Sequence, residues 1–260
     1  MPTEYSGAGD PARSIALLWG QPVARRRGPR PKLTVAEITR AAISLADESG
    51  LAAVTMRQVA ERIGNTTAMS LYTYLPSKAE LLDLMLDAVH GEPVEPPDPP
   101  GNDWRARLAA VARQRRARYL RHPWLLQVAA NRPVLGPHVT ATYERELATI
   151  AGTGLSDVEM DLVVTMLSDY VHGAVRTQVH ARHIMRDSGI TDQQWWQARA
   201  PLLAQVLDPQ QFPLASRVGT AAGTEYGAAS DPARAFEFGL ERLLDGVGLL
   251  VSSRCPGPTG

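Results

Sequence analysis

The stretch that most constrains this chain is residues 34–78, which reads as three short helices, a tight turn between the second and third, and the start of a fourth. Thr34 stands three residues before Glu37, and Thr55 three before Gln58. Each pair has capping-box spacing: the hydroxyl accepts from an early helical N–H and the longer side chain reaches back. Ile38, Ala41, Ala42, Leu45 and Ala46 recur at helical spacing, and Gly50 supplies the left-handed residue that ends the first helix. A second helix over 56–63 is predicted to bury Val59, Ala60 and Ile63 and to stop at Gly64. A third begins near Thr66 or Thr67 and presents Met69, Ser70, Tyr72, Thr73 and Tyr74. A short helix, a glycine turn and a second short helix rich in small polar groups have the layout of a DNA-reading helix-turn-helix.

The run Ala60-Glu61-Arg62-Ile63-Gly64, then Leu71-Tyr72-Thr73-Tyr74-Leu75, then Ser77-Lys78 with Leu81-Leu82 resembles the DNA-binding domain of the TetR family of bacterial repressors. One departure is visible: the family usually has one residue fewer between the turn glycine and the Leu-Tyr pair. The extra residue is to be absorbed in the turn or at the start of the reading helix. The resemblance implies that Arg57 occupies a base-reading position, and its guanidinium suits a guanine edge or a phosphate. Thr66, Thr67, Ser70 and Thr73 carry hydroxyls for base edges, and Met69 with the threonine methyls suits a thymine methyl. Tyr72, Tyr74 and Lys78 are read as phosphate contacts, with core as the other reading of Tyr72, while Leu71 and Leu75 are core.

Lysine plus arginine balance aspartate plus glutamate at 27 each, which argues against a protein that coats nucleic acid indiscriminately. The distribution says more than the sum. From residue 11 to 36 there is no acidic residue, yet Arg13, Arg25, Arg26, Arg27, Arg30 and Lys32 fall there. Such an arm before a helix-turn-helix is placed to neutralise phosphates or enter a minor groove; the alternative is a solvated tail. Residues 14–20, SIALLWG, interrupt it with one or two helical turns that either dock on the body or stay disordered. No apolar run approaches the length needed to cross a bilayer, and residues 1–14 lack the charged-then-apolar order of a secretory signal. The single cysteine, Cys255, rules out an internal disulfide and fits a reducing cytoplasm.

A helix over 79–90 is apolar almost all round, which predicts burial between two bodies and a route for transmitting movement to the reading helix. The proline-rich run 91–102 marks a linker. Beyond it come a helix over 104–120 carrying Leu108, Val111, Ala112, Arg115 and Tyr119, a short one opened by Pro123, and one over 138–150. The arginines at 105, 107, 113, 116, 118 and 121 read as a solvated or salt-bridged face rather than a second nucleic-acid patch. Ser156 opens the longest helix, with two apolar columns spaced by four, one for the interior and one for a second subunit. After a capped helix over 191–207, the Gly/Ala-rich run 218–230 is predicted to be a mobile loop. Asp231 and Pro232 then open a last helix, whose Gly239, Gly246 and Gly248 suggest the close approach of another helix.

These elements predict an all-α chain with an N-terminal helix-turn-helix domain and a C-terminal helical ligand-binding and dimerisation domain. The expected boundaries are an arm at 1–33, the DNA-binding domain with its connecting helix at 34–90, the linker at 91–102, the second domain at 103–252 and a tail at 253–260. Helices at about 156–183 and 231–252 from each of two copies would form a four-helix dimer interface. The motifs His122-Pro123-Trp124, Tyr170-Val171-His172-Gly173 and 236–241 (FEFGLE) resemble the tetracycline-repressor branch of the family. Neither its drug nor its magnesium ion is carried over, because the histidine that holds the metal has no match here.

Trp104, Trp124, Gln127, Asn131, Tyr143, Leu147, Met166, Asp169, Tyr170, Trp195 and Trp196 are the expected ligand liners, since aromatics with a few polar groups suit a flat, drug-sized molecule. Asp169 and Arg176 stand out as charges on an apolar helix. His172, His180 and His183 share a helix but lack a carboxylate at zinc spacing, so no metal site or cofactor is expected. The functional expectation is a cytoplasmic, homodimeric regulator, most simply a repressor, that holds a palindromic double-stranded operator and is released by a small-molecule effector. The alternatives are a constitutive DNA binder with a closed core, or an all-α enzyme with Asp169 and His172 as an acid–base pair. The sequence shows no phosphate loop or nucleophile elbow for that enzyme.

Overall fold

A computed structural model describes residues 4–5, 10–20, 33–64, 66–93, 103–129 and 133–254. Arg25 to Lys32 of the basic arm, Asn65 in the turn, most of the proline-rich run, Asn131 and Cys255 lie outside the described residues.

Helix α1 (Pro11–Leu18) is followed by α2 (Val35–Ser49), α3 (Met56–Ile63), α4 (Ala68–Leu71) and α5 (Lys78–His90). Thr34 opens α2 with a full capping box: its Oγ1 accepts from Glu37 N–H at 3.2 Å and Glu37 Oε2 accepts from Thr34 N–H at 2.8 Å. Thr55 caps α3 in the same way, but the Gln58 side chain meets the Thr55 hydroxyl instead of its backbone N–H. Gly50 and Gly64 end α2 and α3 at φ of +81° and +72°, where only glycine sits without strain. Ile38, Ala42, Leu51, Val59, Leu71, Leu75 and the inner face of α5 pack into the first core.

α5 has few solvent-facing positions. Leu81, Leu82, Met85, Leu86 and Val89 are buried, and so are Glu80 and Asp87. It packs against α2 and α1 and also against α7 (Pro137–Ile150) of the second half, as an all-round apolar helix should. Of the two outcomes open to residues 14–20, docking is the one observed. Leu17 packs on the first core, and Trp19 Nε1 donates to Leu135 O at 2.9 Å.

The second core joins α6 (Trp104–Arg121), α8 (Asp157–Ser188) and α11 (Pro232–Arg254). Val163, Leu167, Val171 and Val175 form one four-spaced column of α8 against Phe236, Leu240, Leu244 and Val247 of α11. Each such side chain removed from water contributes about 1.5–3 kcal/mol. Gly239 is required by this packing, because a Cβ there would lie 2.5 Å from the Tyr170 hydroxyl. Gly246 has no neighbour of that kind within one copy, and Gly248 meets Trp104 only at ordinary contact distance.

Three of the six α6 arginines singled out in the sequence are salt-bridged. Arg105 pairs with Glu241 and Asp245, Arg113 with Glu237, and Arg121 with Glu92. Two local expectations are corrected. The run 218–230 is not a loop: α10 (Pro213–Tyr226) covers most of it, opened by Pro213 and closed by left-handed Gly227, and Gly223 lets the Trp196 indole of α9 (Asp192–Val206) lie against its backbone. Pro123 opens a 3-10 turn, Pro123–Gln127, whose continuation Val128–Ala129 pairs in parallel with Glu4–Tyr5. That two-residue ladder leaves the all-α class intact.

Candidate DNA-reading face and ligand cavity

The reading head is held by a link between its first two helices. Arg62 Nη1 of α3 donates to Glu48 Oε1 at 2.7 Å and to Ser44 Oγ at 2.8 Å, and its second nitrogen donates to Glu48 Oε2. The Arg62 hydrogen bonds hold the Glu48 carboxyl down at about 2. The charge pair is largely exposed, so its value lies in fixing the angle between α2 and α3 rather than in bulk stability.

The reading helix α4 is one turn long and Thr67 is its cap. Thr67 Oγ1 accepts from Ser70 N–H at 3.2 Å, and the two hydroxyls lie 3.0 Å apart. Thr73 Oγ1 donates to Ser70 O at 2.6 Å, which leaves its lone pairs outward. Met69 is 76% exposed and Tyr72 44%, whereas Leu71 and Leu75 are fully buried. Tyr72 is therefore outside the core, and Tyr74 is half-buried against it. Arg57 extends into solvent with an i,i+4 partner, Glu61, at 2.8 Å. Thr66 precedes the cap, and Lys78 opens α5 behind Ser77, whose Oγ accepts from Ala79 N–H at 3.1 Å.

In the second half a cavity of about 620 Å³ lies between α5, α6, α7 and α8, roofed by Pro133, Val134 and Leu135. That is room for a drug-sized molecule. Leu86 and His90 enter it from α5; Arg115, Arg118 and Tyr119 from α6; Tyr143 and Glu146 from α7; and Val164, Ser168 and Asp169 from α8. A buried ion pair forms one wall. Arg115 Nε donates to Glu146 Oε1 at 2.8 Å, Nη2 donates to Glu146 Oε2, and Nη1 donates to Ser168 Oγ at 2.6 Å, so one guanidinium ties three helices. Tyr143 OH donates to Asp161 Oδ1 at 2.7 Å, and that bond raises the phenol pKa. His90 Nδ1 donates to Leu86 O at 2.8 Å. Burial, then the Arg118 charge, pushes its pKa down to about 4, so the ring is neutral at pH 7 and Nε2 is an acceptor.

Of the expected liners among the described residues, Tyr143 and Asp169 face this cavity, and Asn131 lies outside the described residues. Trp124 is corrected: it is buried in the first core, its Nε1 donates to Asp47 Oδ1 at 2.8 Å, and its indole meets the His122 ring edge-on. His122 Nδ1 lies 2.8 Å from the same Asp47 oxygen, so these residues hold α2 against the second half instead of lining a site. Trp104 and Leu147 pack on the second core, Gln127 is exposed, and Met166 faces outward. Tyr170 donates to Phe236 O at 2.5 Å and borders a separate open groove beside α11. Trp195 and Trp196 sit on α9, where the first takes Arg199 over its ring and the second packs on Gly223. Arg176 is exposed. Among the described residues no three His, Cys, Asp or Glu side chains gather as a metal site, and no helix is long and apolar enough to cross a membrane.

Sequence reasoning missed His90, Arg115, Arg118 and Glu146. The signal was present for Arg115, a charge on the apolar stripe that also carries Val111, Ala112 and Tyr119. A charge on such a stripe must face a buried partner or a cavity.

Residues 38–85 match the family described as bacterial regulatory proteins, tetR family, and residues 96–250 match the tetracyclin repressor-like C-terminal domain. The chain is 42% identical over 252 residues to the HTH-type transcriptional repressor DrrR1 of Streptomyces coeruleorubidus, covering 97% of this chain and 91% of that protein. Its fold is similar to that of apo ActR from Streptomyces coelicolor, with a TM-score of 0.68, 27% identity, and coverage of 87% of this chain and 100% of ActR. It is similar also to ActR, a TetR family protein, in complex with actinorhodin, with a TM-score of 0.67, 29% identity, and coverage of 85% and 99%. With the reading head in the first half and the cavity in the second, the chain belongs to the TetR family of bacterial transcriptional repressors.

Proposed function

We propose that the chain acts in the cytoplasm as a homodimer that holds a palindromic operator and lets go when a small molecule fills the cavity between α5, α6, α7 and α8. The observation that carries this reading is the shared helix α5. One end begins beside α4, and the other contributes Leu86 and His90 to the cavity wall. A ligand that moves the His90 end therefore shifts the reading head, and in a dimer a small rotation changes the spacing of two heads that must fit successive turns of DNA.

Dimerisation through α8 and α11 is supported by what a single copy leaves uncovered. Val158, Leu162 and Met166 form a second column of α8, exposed beside the buried one, and Phe238 and Leu249 are exposed on α11. On the reading head we assign base contacts to Arg57, Thr66, Thr67, Met69, Ser70 and Thr73, and phosphate contacts to Tyr72, Tyr74 and Lys78. The open cavity favours this reading over a constitutive binder with a closed core. ActR, of similar fold, has been solved with actinorhodin bound, which supports a bulky organic effector here.

The test is fluorescence anisotropy of the purified protein on palindromes from the DNA beside its own coding sequence, with and without a panel of antibiotics and metabolites. Tight, salt-sensitive binding that one compound abolishes supports the reading. Binding that no cavity-filling compound alters, while the same compounds raise the melting temperature, overturns the coupling between the sites.

A further inference from the structure

Of the two arginines that line the cavity, one has its partners and the other has none among the described residues. Arg115 is satisfied by Glu146 and Ser168. Arg145, just outside, donates to Ala141 O and Thr142 Oγ1. Arg118 is different. Its side chain lines the cavity, and among the described residues it has neither a hydrogen bond nor an ion pair; the carboxylate whose charge reaches it, Glu146, is already committed to Arg115 Nε and Nη2. His90 supplies no counter-charge, Asp169 is exposed and makes no ion pair with Arg118, and Asp161 already accepts from Tyr143.

A guanidinium taken partly out of water without a partner is costly. The cost is recovered when a ligand brings an anion to it, because a charge-assisted, two-pronged contact gains most where water is excluded. The same wall offers Val164, Leu125, Val139 and Tyr119, all apolar or aromatic.

Taking the cavity as the effector site, we propose that the effector is an apolar, ring-containing molecule bearing an anionic oxygen, a carboxylate or an ionised phenol, that seats on the Arg118 guanidinium. This identifies the chemistry that discriminates the effector from neutral molecules of the same shape. Burial, then the neighbouring Arg115 charge, lowers the Arg118 pKa, as expected of a cation that lacks its counter-ion.

The test uses two fluorescent probes with one framework, 8-anilinonaphthalene-1-sulfonate, which carries an anion, and N-phenyl-1-naphthylamine, which does not. Each is titrated into full-length wild type, Arg118→Met and Arg118→Lys. Wild type binds the sulfonate at least tenfold more tightly than the neutral probe. Arg118→Met loses at least tenfold for the sulfonate and less than twofold for the neutral probe, whose retained binding reports an intact cavity. Arg118→Lys recovers part of the loss, since an ammonium keeps the charge but not the two-pronged geometry. Equal affinity of wild type for the two probes, or an unchanged sulfonate affinity in Arg118→Met, overturns the anion proposal while leaving the cavity as a binding site. Failure of wild type to bind either probe overturns the reading of the cavity itself.

Discussion

Asp87 Oδ1 lies 3.0 Å from the backbone nitrogen of Val139, and it accepts at the same distance from His138 N–H. A side chain of α5 is thus the N-cap of α7, whose own cap position, Gly136, has no side chain to offer. The packing also explains that glycine, because a Cβ at 136 would sit 2.2 Å from the Asp87 oxygen. One carboxylate joins the helix that leads to the reading head to a helix that walls the cavity. Asp87→Ala removes the cap and should cost about 1–2 kcal/mol of stability, read by urea denaturation. It should also uncouple the sites, so that operator affinity survives while ligand no longer releases the DNA. An Asp87→Ala protein that still lets go of its operator with wild-type ligand dependence would show that the signal travels elsewhere.

The reading head was legible in the sequence because its signals are local. The caps at Thr34 and Thr55, the stops at Gly50 and Gly64, and the buried Leu71 and Leu75 all follow from residues within four positions of one another. The cavity was not, because its walls come from four helices and each aromatic had several possible destinations. Trp124 went to the interdomain contact because Asp47, 77 positions away, offered its carboxylate to the indole N–H. Trp195 and Trp196 went to α9, the second lying against Gly223 of α10, the helix that the glycine content of 218–230 had disguised as a loop. Alanine content and the Pro213 start outweighed the isolated glycines there, each of which costs only about 1 kcal/mol.

His90 should give the protein an acid-side stability slope. Its pKa is about 4 in the folded state against 6.5 for an unperturbed ring, chiefly through burial and then through Arg118. Between those values the unfolded chain holds a proton that the folded chain refuses. The contribution is therefore complete above pH 6.5 and declines as pH falls toward 4, by at most about 3 kcal/mol. His90→Gln should flatten the wild-type curve across that window and leave it unchanged near pH 8. Denaturant titrations of both proteins at pH 4.5, 5.5, 6.5 and 8 provide the comparison, and parallel curves would remove His90 as the cause.

Lys78 opens α5 at the foot of the reading head, where an ammonium and the helix N-terminus both favour a phosphate. A phosphate contact carries no sequence information. Lys78→Ala should lower affinity by a similar factor on the operator and on unrelated duplex, and it should reduce the slope of log K against log salt by about 1. Anisotropy titrations between 50 and 300 mM salt measure both. A loss confined to the operator would instead make Lys78 a base reader.

The outer column of α8 offers the sharpest test of assembly. Leu162 is 59% exposed in one copy and stands between Val158 and Met166, also exposed. An interface around a twofold axis brings the same patch of both copies together, so one substitution places two like charges in one apolar contact. Leu162→Arg should therefore separate the copies without disturbing the inner column of Val163, Leu167 and Val171, which packs on α11. Light scattering after gel filtration should report a monomer with wild-type helicity. Affinity for a palindrome should fall at least a hundredfold while affinity for an isolated half-site stays the same, because half-site binding never used the second head. A dimeric Leu162→Arg protein that keeps its operator affinity would move the interface off this face, and with it the geometry by which a ligand changes the spacing of the heads.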